Sequence, residues 1–314
     1  MYYPYFRGKQ NELITIRENA ALLNQSKFIP IIEPVKEALG GLTKSLAAVV
    51  EAEGGAIVIV NPFHGDHSHN AENIQSLFQN EFKDDLNISP GILLMEDVAV
   101  DDAIVLCDDF EDRKVTLIHS GFTKAKLLAQ ELGDKVSEIR HVFLEDNCGK
   151  LYQKHFKDAQ RVLLRDGFKK RTNREHPPLE FFSDLHATYE DEGMQGFGDF
   201  LIVGNDYSET GGPAYAVAIH LTFIDPTKDD EMHIHHFKSI RQDDPKDPAG
   251  KFAEALDEMV KDVNHPDTKI LQTEAVKEFL DLHNRGHFPG LGYVKKLSMK
   301  HHIETLADYF NLNK

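Results

Sequence analysis

Short, continuously apolar runs recur along the chain and set its rhythm. "FIPIIEPV" (28–35), "AIVIVNP" (56–62), "GILLMEDV" (91–98), "KVTLIHSGF" (114–122), "RHVFLEDN" (140–147) and "RVLLRDGF" (161–168) each hold three to five apolar residues and then meet a polar one. Continuous rather than alternating burial predicts strands covered on both faces, as in a parallel sheet flanked by helices. The segments between them read as helices. "LTKSLAAVVEAEG" and "TKAKLLAQELG" have apolar residues at helical spacing and end in Gly, and "NAENIQSLFQNEF" opens on Asn. Six such βα units without a Gly-rich phosphate loop predict an α/β fold of the TIM-like (β/α)8 barrel type rather than an open doubly wound sheet.

The pattern changes after residue 168. "PPLEFFSDLHATYEDEG" reads as a helix, whereas "DFLIVGNDY", "AYAVAIHLTFI" and "MHIHHFKSI" read as strands joined only by the turns "SETGGP" and "DPTKDDE". The barrel is therefore expected to close irregularly, with an antiparallel hairpin and C-terminal helices, the first being "DPAGKFAEALDEMVKDV". No linker rich in Pro, Gly or Ser interrupts the chain, so one domain over 1–314 is expected. Within it, 1–27 forms an N-terminal arm and first helix, 199–240 the irregular strands and hairpin, and 250–314 the C-terminal helices.

Length agrees with this architecture, since 314 residues with 41% hydrophobic residues can fill a barrel core. A net charge of −17 opposes nonspecific attraction to nucleic acid or anionic lipid over most of the surface. The N-terminus lacks signal-peptide order and no apolar run approaches a membrane span, so a cytoplasmic protein without a membrane partner is expected. The only two cysteines, Cys107 and Cys148, fit no zinc spacing and read as free thiols.

In a parallel barrel the βα loops converge at the C-terminal ends of the strands, so the residues ending each run are the candidates for chemistry. Glu33, Glu96, His119, Glu145 and Asp166 have the composition of a general acid–base or divalent-metal site and are expected as catalytic residues. Ordinary polarity where strands emerge into water gives the same text. In "NPFHGDHSHN" (61–70), His64, His67 and His69 sit close together after the second run, and Gly65 permits a turn. A divalent metal of unspecified identity is expected on Glu33, Glu145, His64 and His67, the alternative being an exposed polar loop. "RDGFKKRTNRE" (165–175) gathers cations in an acidic chain, and Arg165, Lys169, Lys170 and Arg171 are expected to bind phosphate, unless the many nearby carboxylates neutralise them. Gly193, Gly196 and Gly198 imply tight turning or close backbone approach, and Asp199 beside them reads as a catalytic acid or a capping carboxylate. In "HIHH" (233–236), His233 and His235 share one face of a strand and can chelate, although an edge strand with its polar residues outward gives the same text.

Several passages also carry a resemblance. "MYYPYFRGKQNELITIRE", "FIPIIEPVKE" and "EFFSDLHATYEDEGMQGFGDFLIVGNDYSETGGPAYAVAIHLTFID" with "MHIHHF" resemble a family of uncharacterised bacterial proteins, itself similar to the "beta" family proteins of phages. The latter start with a Tyr/Pro-rich arm carrying a Lys, here Lys9, and reach a Gly-Asp-aromatic element, here Gly198-Asp199-Phe200. The resemblance implies a setting among phage or mobile-element genes and carries over no reaction or catalytic residue.

Two functions follow as expectations. One is a metal-assisted hydrolase or lyase acting on a phosphate-bearing small molecule, nucleotide or nucleic-acid end, plausible in phage–host conflict. The alternative is a non-catalytic binding or regulatory component of a phage or mobile-element system with a protein partner.

Overall fold

The first strand is formed by the N-terminal residues. In the computed structural model, which describes residues 1–209 and 211–312, β1 is Tyr5–Phe6, and it pairs in parallel with β2, Ile31–Ile32. The sheet continues in parallel through β3 (Ala56–Ile59), β4 (Ile88–Leu94), β5 (Thr116–His119), β6 (Arg140–Leu144) and β7 (Gln160–Leu164). Its eighth strand is Gly196–Gly198, labelled β9 because β8 precedes it in the chain. The circle closes through the backbone: the amides of Tyr3 and Tyr5 donate to the carbonyls of Phe197 (2.8 Å) and Asp199 (2.9 Å), and that of Phe197 donates to Met1 (3.0 Å). The eight-stranded TIM-like barrel expected from the sequence is present, with helices between its strands.

The arm expected over 1–27 is thus the closing strand, followed by helices at Gln10–Glu18 and Ala20–Gln25. Its apolar core was too short to register as a strand in the sequence pattern. The glycines after it have the close-approach role expected of them. A Cβ on Gly198 would stand 2.2 Å from the Tyr3 carbonyl oxygen, so only glycine lets β9 lie against the N-terminal strand.

Side-chain direction follows the period of two. Tyr3, Ile31, Ile57, Ser89, Thr116 and Arg140 share register positions or contacts that place them inside the barrel. A Cβ on Gly91 would meet Ile57, Ile59 and Ile118 at 2.9 to 3.4 Å, which marks the same interior. Glu33, two residues beyond Ile31, therefore faces inward at the C-terminal mouth.

The chain divides into two compact units: 1–165 with 188–199, and 166–187 with 200–314. The first is the barrel. The second holds an antiparallel sheet ordered β10 (Ala218–Asp225), β11 (Glu231–Lys238), β8 (Leu179–Ser183). This is the expected hairpin with one strand added. β8 lies where the sequence reads as a helix from the two prolines to Gly193; the helix there is only Leu185–Thr188. "LEFFS" alternates, with Leu179 and Phe181 opposite His235 and His233, and Glu180 opposite Ile234, so pairing to β11 overrides helical spacing. "DFLIVGNDY" likewise forms no strand among the described residues, and Thr210 of the expected "SETGGP" turn lies outside them.

The sheet's apolar face, with Ile219, Leu221, Phe223 and Phe237, packs with Phe252, Leu256, Met259, Phe279 and Leu297 from the helices Pro248–Val263, Glu274–Asn284 and Leu291–Leu312. The division leaves no linker in the sequence because the chain leaves the barrel directly after the strands Gln160–Leu164 and Gly196–Gly198 and re-enters it at the short helix Leu185–Thr188. No helix among the described residues is long and apolar enough to cross a membrane.

Candidate functional site

At the mouth of the barrel, Glu33 is fully buried, yet both carboxylate oxygens are occupied. Oε2 accepts from the Tyr5 hydroxyl (2.9 Å) and from the Arg7 guanidinium. Oε1 accepts from the backbone amides of Phe63 (3.1 Å) and His64 (2.9 Å) and lies 3.0 Å from Nδ1 of His64. Burial alone would raise the Glu33 carboxyl, but His64 and the Arg7 charge hold it at about 2, so it is ionised. Burial and the carboxylate beside it push the Tyr5 phenol well above its ordinary value.

Local sequence explains the convergence. Gly65 has φ +78°, and a Cβ there would stand 2.1 Å from the Val35 carbonyl oxygen, so the loop after β3 can fold tightly over β2. This turn places His64 on Glu33 with its side chain 26% exposed. His67 goes elsewhere: it is buried, and its Nε2 lies 3.1 Å from the Lys36 carbonyl oxygen. His69 is exposed. At the same end, Asn61, Phe63, His67, His69, Met95 and Asp97 line a cavity of about 280 Å³.

The rest of the expected ring disperses. Glu96 is exposed. Glu145 is held by Arg165 through two hydrogen bonds of 2.5 and 2.9 Å, which joins an expected metal ligand to an expected phosphate-binding residue. Asp166 belongs to the second unit, where it accepts from the amides of Phe168 (3.0 Å) and Asn205 (2.7 Å) and fixes a loop. His119 is fully buried and points away from the barrel interior, because the inward positions of β5 are Thr116 and Ile118. Its ring nitrogens lie 2.6 Å from the Tyr152 hydroxyl and 3.0 Å from His141 Nδ1, and it stacks on Phe143. Burial and the neighbouring His141 push it well below the usual imidazole value. It packs among buried aromatic rings, including Phe143 and Phe156, on the outward side of the strand. Glu33, Glu145, His64 and His67 therefore do not assemble as a metal-ligand set; only Glu33 and His64 meet.

Asp199 resolves as an internal acceptor, 2.7 Å from the Tyr2 hydroxyl and buried. In the basic loop, Lys169 and Arg171 pair with Glu180 (3.4 and 2.7 Å), and Lys170 pairs with Asp206 (2.8 Å). The abundant carboxylates neutralise these cations.

The second unit holds a cluster that the sequence pattern does not single out. His176, Glu180 and His236 each offer a ligand atom within 4.8 Å of the others, a group that can hold a metal ion. Glu180 Oε1 is 3.1 Å from Nε2 of His236 and 3.5 Å from Nδ1 of His176. His220 stands directly opposite His236 in the sheet, with their Nδ1 atoms 2.7 Å apart, and Phe168 packs edge-on to His220. Burial, then the nearby His176, lowers His236 to about 4; burial also lowers His176 despite Glu180. Both imidazoles are neutral near pH 7, the form that ligates. His233 and His235 do share a face, as alternation predicts, but they part company there: His233 lies 3.0 Å from Glu231 and His235 3.5 Å from Asp262. The available signal was His220 paired with His236 across the hairpin, legible only once register is known.

Comparison of the chain with family models, with curated proteins and with solved structures finds no match.

Proposed function

We propose that the barrel is an enzyme that moves protons at its C-terminal mouth: a hydrolase or lyase acting on a phosphate-bearing small molecule, nucleotide or nucleic-acid end. His64 is the acid–base group and Glu33 orients it. The observation that carries this reading is the 3.0 Å contact between His64 Nδ1 and a fully buried, ionised carboxylate. Such a carboxylate accepts a hydrogen bond from Nδ1–H, fixes the tautomer with the lone pair on Nε2, and stabilises the imidazolium formed when Nε2 takes a proton. The position at the strand ends, beside a cavity of about 280 Å³, is where barrel enzymes bind small molecules.

Metal assistance at this mouth is not retained, because Arg7 and Arg165 already neutralise Glu33 and Glu145. The phosphate class rests on Arg165, whose planar fork suits a phosphate as well as it suits Glu145. A second reading, a non-catalytic binding component of a phage or mobile-element system, is favoured by the pairing of Lys169, Lys170 and Arg171 with carboxylates.

The test is a panel of nucleotides, phosphomonoesters and 5′- or 3′-phosphorylated oligonucleotides, with products resolved by chromatography. Turnover is expected, with a loss of about 100- to 10,000-fold in a folded His64→Asn. Absence of turnover on every substrate, or full activity in His64→Asn, would reject the enzyme in favour of the binding component.

A further inference from the structure

His176 is the least explained polar group in the second unit. His176 is 2% exposed, and apart from the 3.5 Å approach of Nδ1 to Glu180 Oε1 neither ring nitrogen has a hydrogen-bond partner among the described residues. A buried imidazole in this condition is costly unless a water or an ion satisfies it. Its placement is nevertheless well determined. A capping box between Thr172 and Glu175 closes the turn before it, and the His236 amide donates to the Pro178 carbonyl (2.8 Å) just after it. The ring therefore stacks on His236 with centroids 4.4 Å apart, beside Glu180.

We propose that His176, Glu180 and His236 bind one divalent transition-metal ion, zinc matching the donor set best, with His220 as a positioning residue. Two imidazole nitrogens and one carboxylate oxygen suit zinc, whereas calcium and magnesium call for oxygen donors throughout. Bonds of about 2.05 Å in a tetrahedron separate ligand atoms by about 3.3 Å. The distances of 3.1 and 3.5 Å from Glu180 Oε1 to the two imidazoles already bracket that edge. Three protein ligands leave the fourth position to water or a substrate atom, as in open zinc sites.

His220 completes the arrangement. With its Nδ1 2.7 Å from that of His236, it accepts a hydrogen bond from the His236 Nδ1–H and leaves the Nε2 lone pair toward the ion, the role that a carboxylate, carbonyl or water usually plays behind a ligating histidine. Two cations oppose the metal: Arg171 and Lys169 both reach Glu180. Lys238 is also close, donating to the His176 carbonyl, and adds to the positive field. Metal binding turns Oε1 from Arg171 to the ion and releases the guanidinium, whose side chain is 30% exposed, to solvent. This site and the barrel-mouth reading are independent, and either can fail alone.

The experiment uses the full chain without a polyhistidine tag. Elemental analysis after dialysis against zinc is expected to give one ion per chain, although the sequence holds 17 histidines. Cobalt(II) added to the chelator-stripped protein is expected to give the intense visible bands of tetrahedral coordination. His176→Gln and His236→Gln should each weaken zinc binding about 100-fold or more. His220→Leu should weaken it roughly 10- to 100-fold with an unchanged circular dichroism spectrum. Arg171→Gln should strengthen it, and His69→Ala should leave it unchanged. Less than stoichiometric zinc with no tetrahedral cobalt spectrum would overturn the proposal. So would full affinity in a folded His176→Gln, His236→Gln double variant. Should that variant not fold, the cobalt spectrum and the direction of the Arg171→Gln effect decide the matter alone.

Discussion

Arg7, just after the first barrel strand, donates to the carboxylate of Glu33, just after the second, and both side chains are withdrawn from water. With Tyr5 and His64 on the same carboxylate, this pair ties the N-terminal strand to the loop after β3. A buried pair adds little net stability over an apolar one, but loss of one partner strands the other.

Glu33→Gln is therefore expected to destabilise the barrel by about 3 to 5 kcal/mol, measured by urea unfolding at pH 7. Its pH dependence has a definite sign. The folded carboxyl lies near 2, below its unfolded value of 4.5, so its stabilisation is present above about pH 4.5 and is lost as pH falls toward 2. The wild-type and Glu33→Gln stability curves should converge across that window; parallel curves would refute the assignment.

Gly198→Ala is expected to disrupt the seam of the barrel, because a Cβ would stand 2.2 Å from the Tyr3 carbonyl oxygen. A cost of about 2 to 3 kcal/mol is expected, as for other forced overpacking. Hydrogen exchange should localise the effect to the Tyr3 and Tyr5 amides, which donate across the seam.

Neutral histidines buried in both units predict acid sensitivity. Burial lowers His119 well below the usual value and brings His141, His186 and His301 to about 4. Between about pH 6.5 and 4 the unfolded chain binds more protons at these sites, so stability falls as pH falls through that range. Denaturation midpoints at pH 7, 6 and 5 should decline steadily, and the NMR resonances of these imidazoles should not titrate near 6.5. A midpoint independent of pH over this range would contradict the burial of these rings.

Cys107 and Cys148 are buried, unbonded to any partner sulfur, and raised to about 12 by burial. Neither should react with Ellman's reagent at pH 8 until denaturant is added, after which two thiols per chain should appear. Rapid reaction of the native protein would place at least one thiol at the surface.

Long apolar runs such as "GILLMEDV" became barrel strands because burial on both faces dictates their composition wherever they pair. "DPAGKFAEALDEMVKDV" became the helix Pro248–Val263, with its Asp247 cap and apolar stripe, for reasons local to the segment. The closing strand leaves no mark in the pattern because two paired residues carry no periodicity, and β8 reads as helix because five residues between prolines and a true helical turn fit either spacing.

The same division governs the chemistry. By itself, the sequence determined the parallel α/β barrel, the polar residues at its strand ends and the shared face of His233 and His235, since each follows from the repeat of one element. Only the tertiary structure decided that His119 turns outward, that Glu33 meets Arg7 and His64, and that His176, Glu180, His220 and His236 gather in one cluster. These outcomes depend on strand register and on partners tens of residues away, and a one-residue change of register sends a side chain to the opposite face.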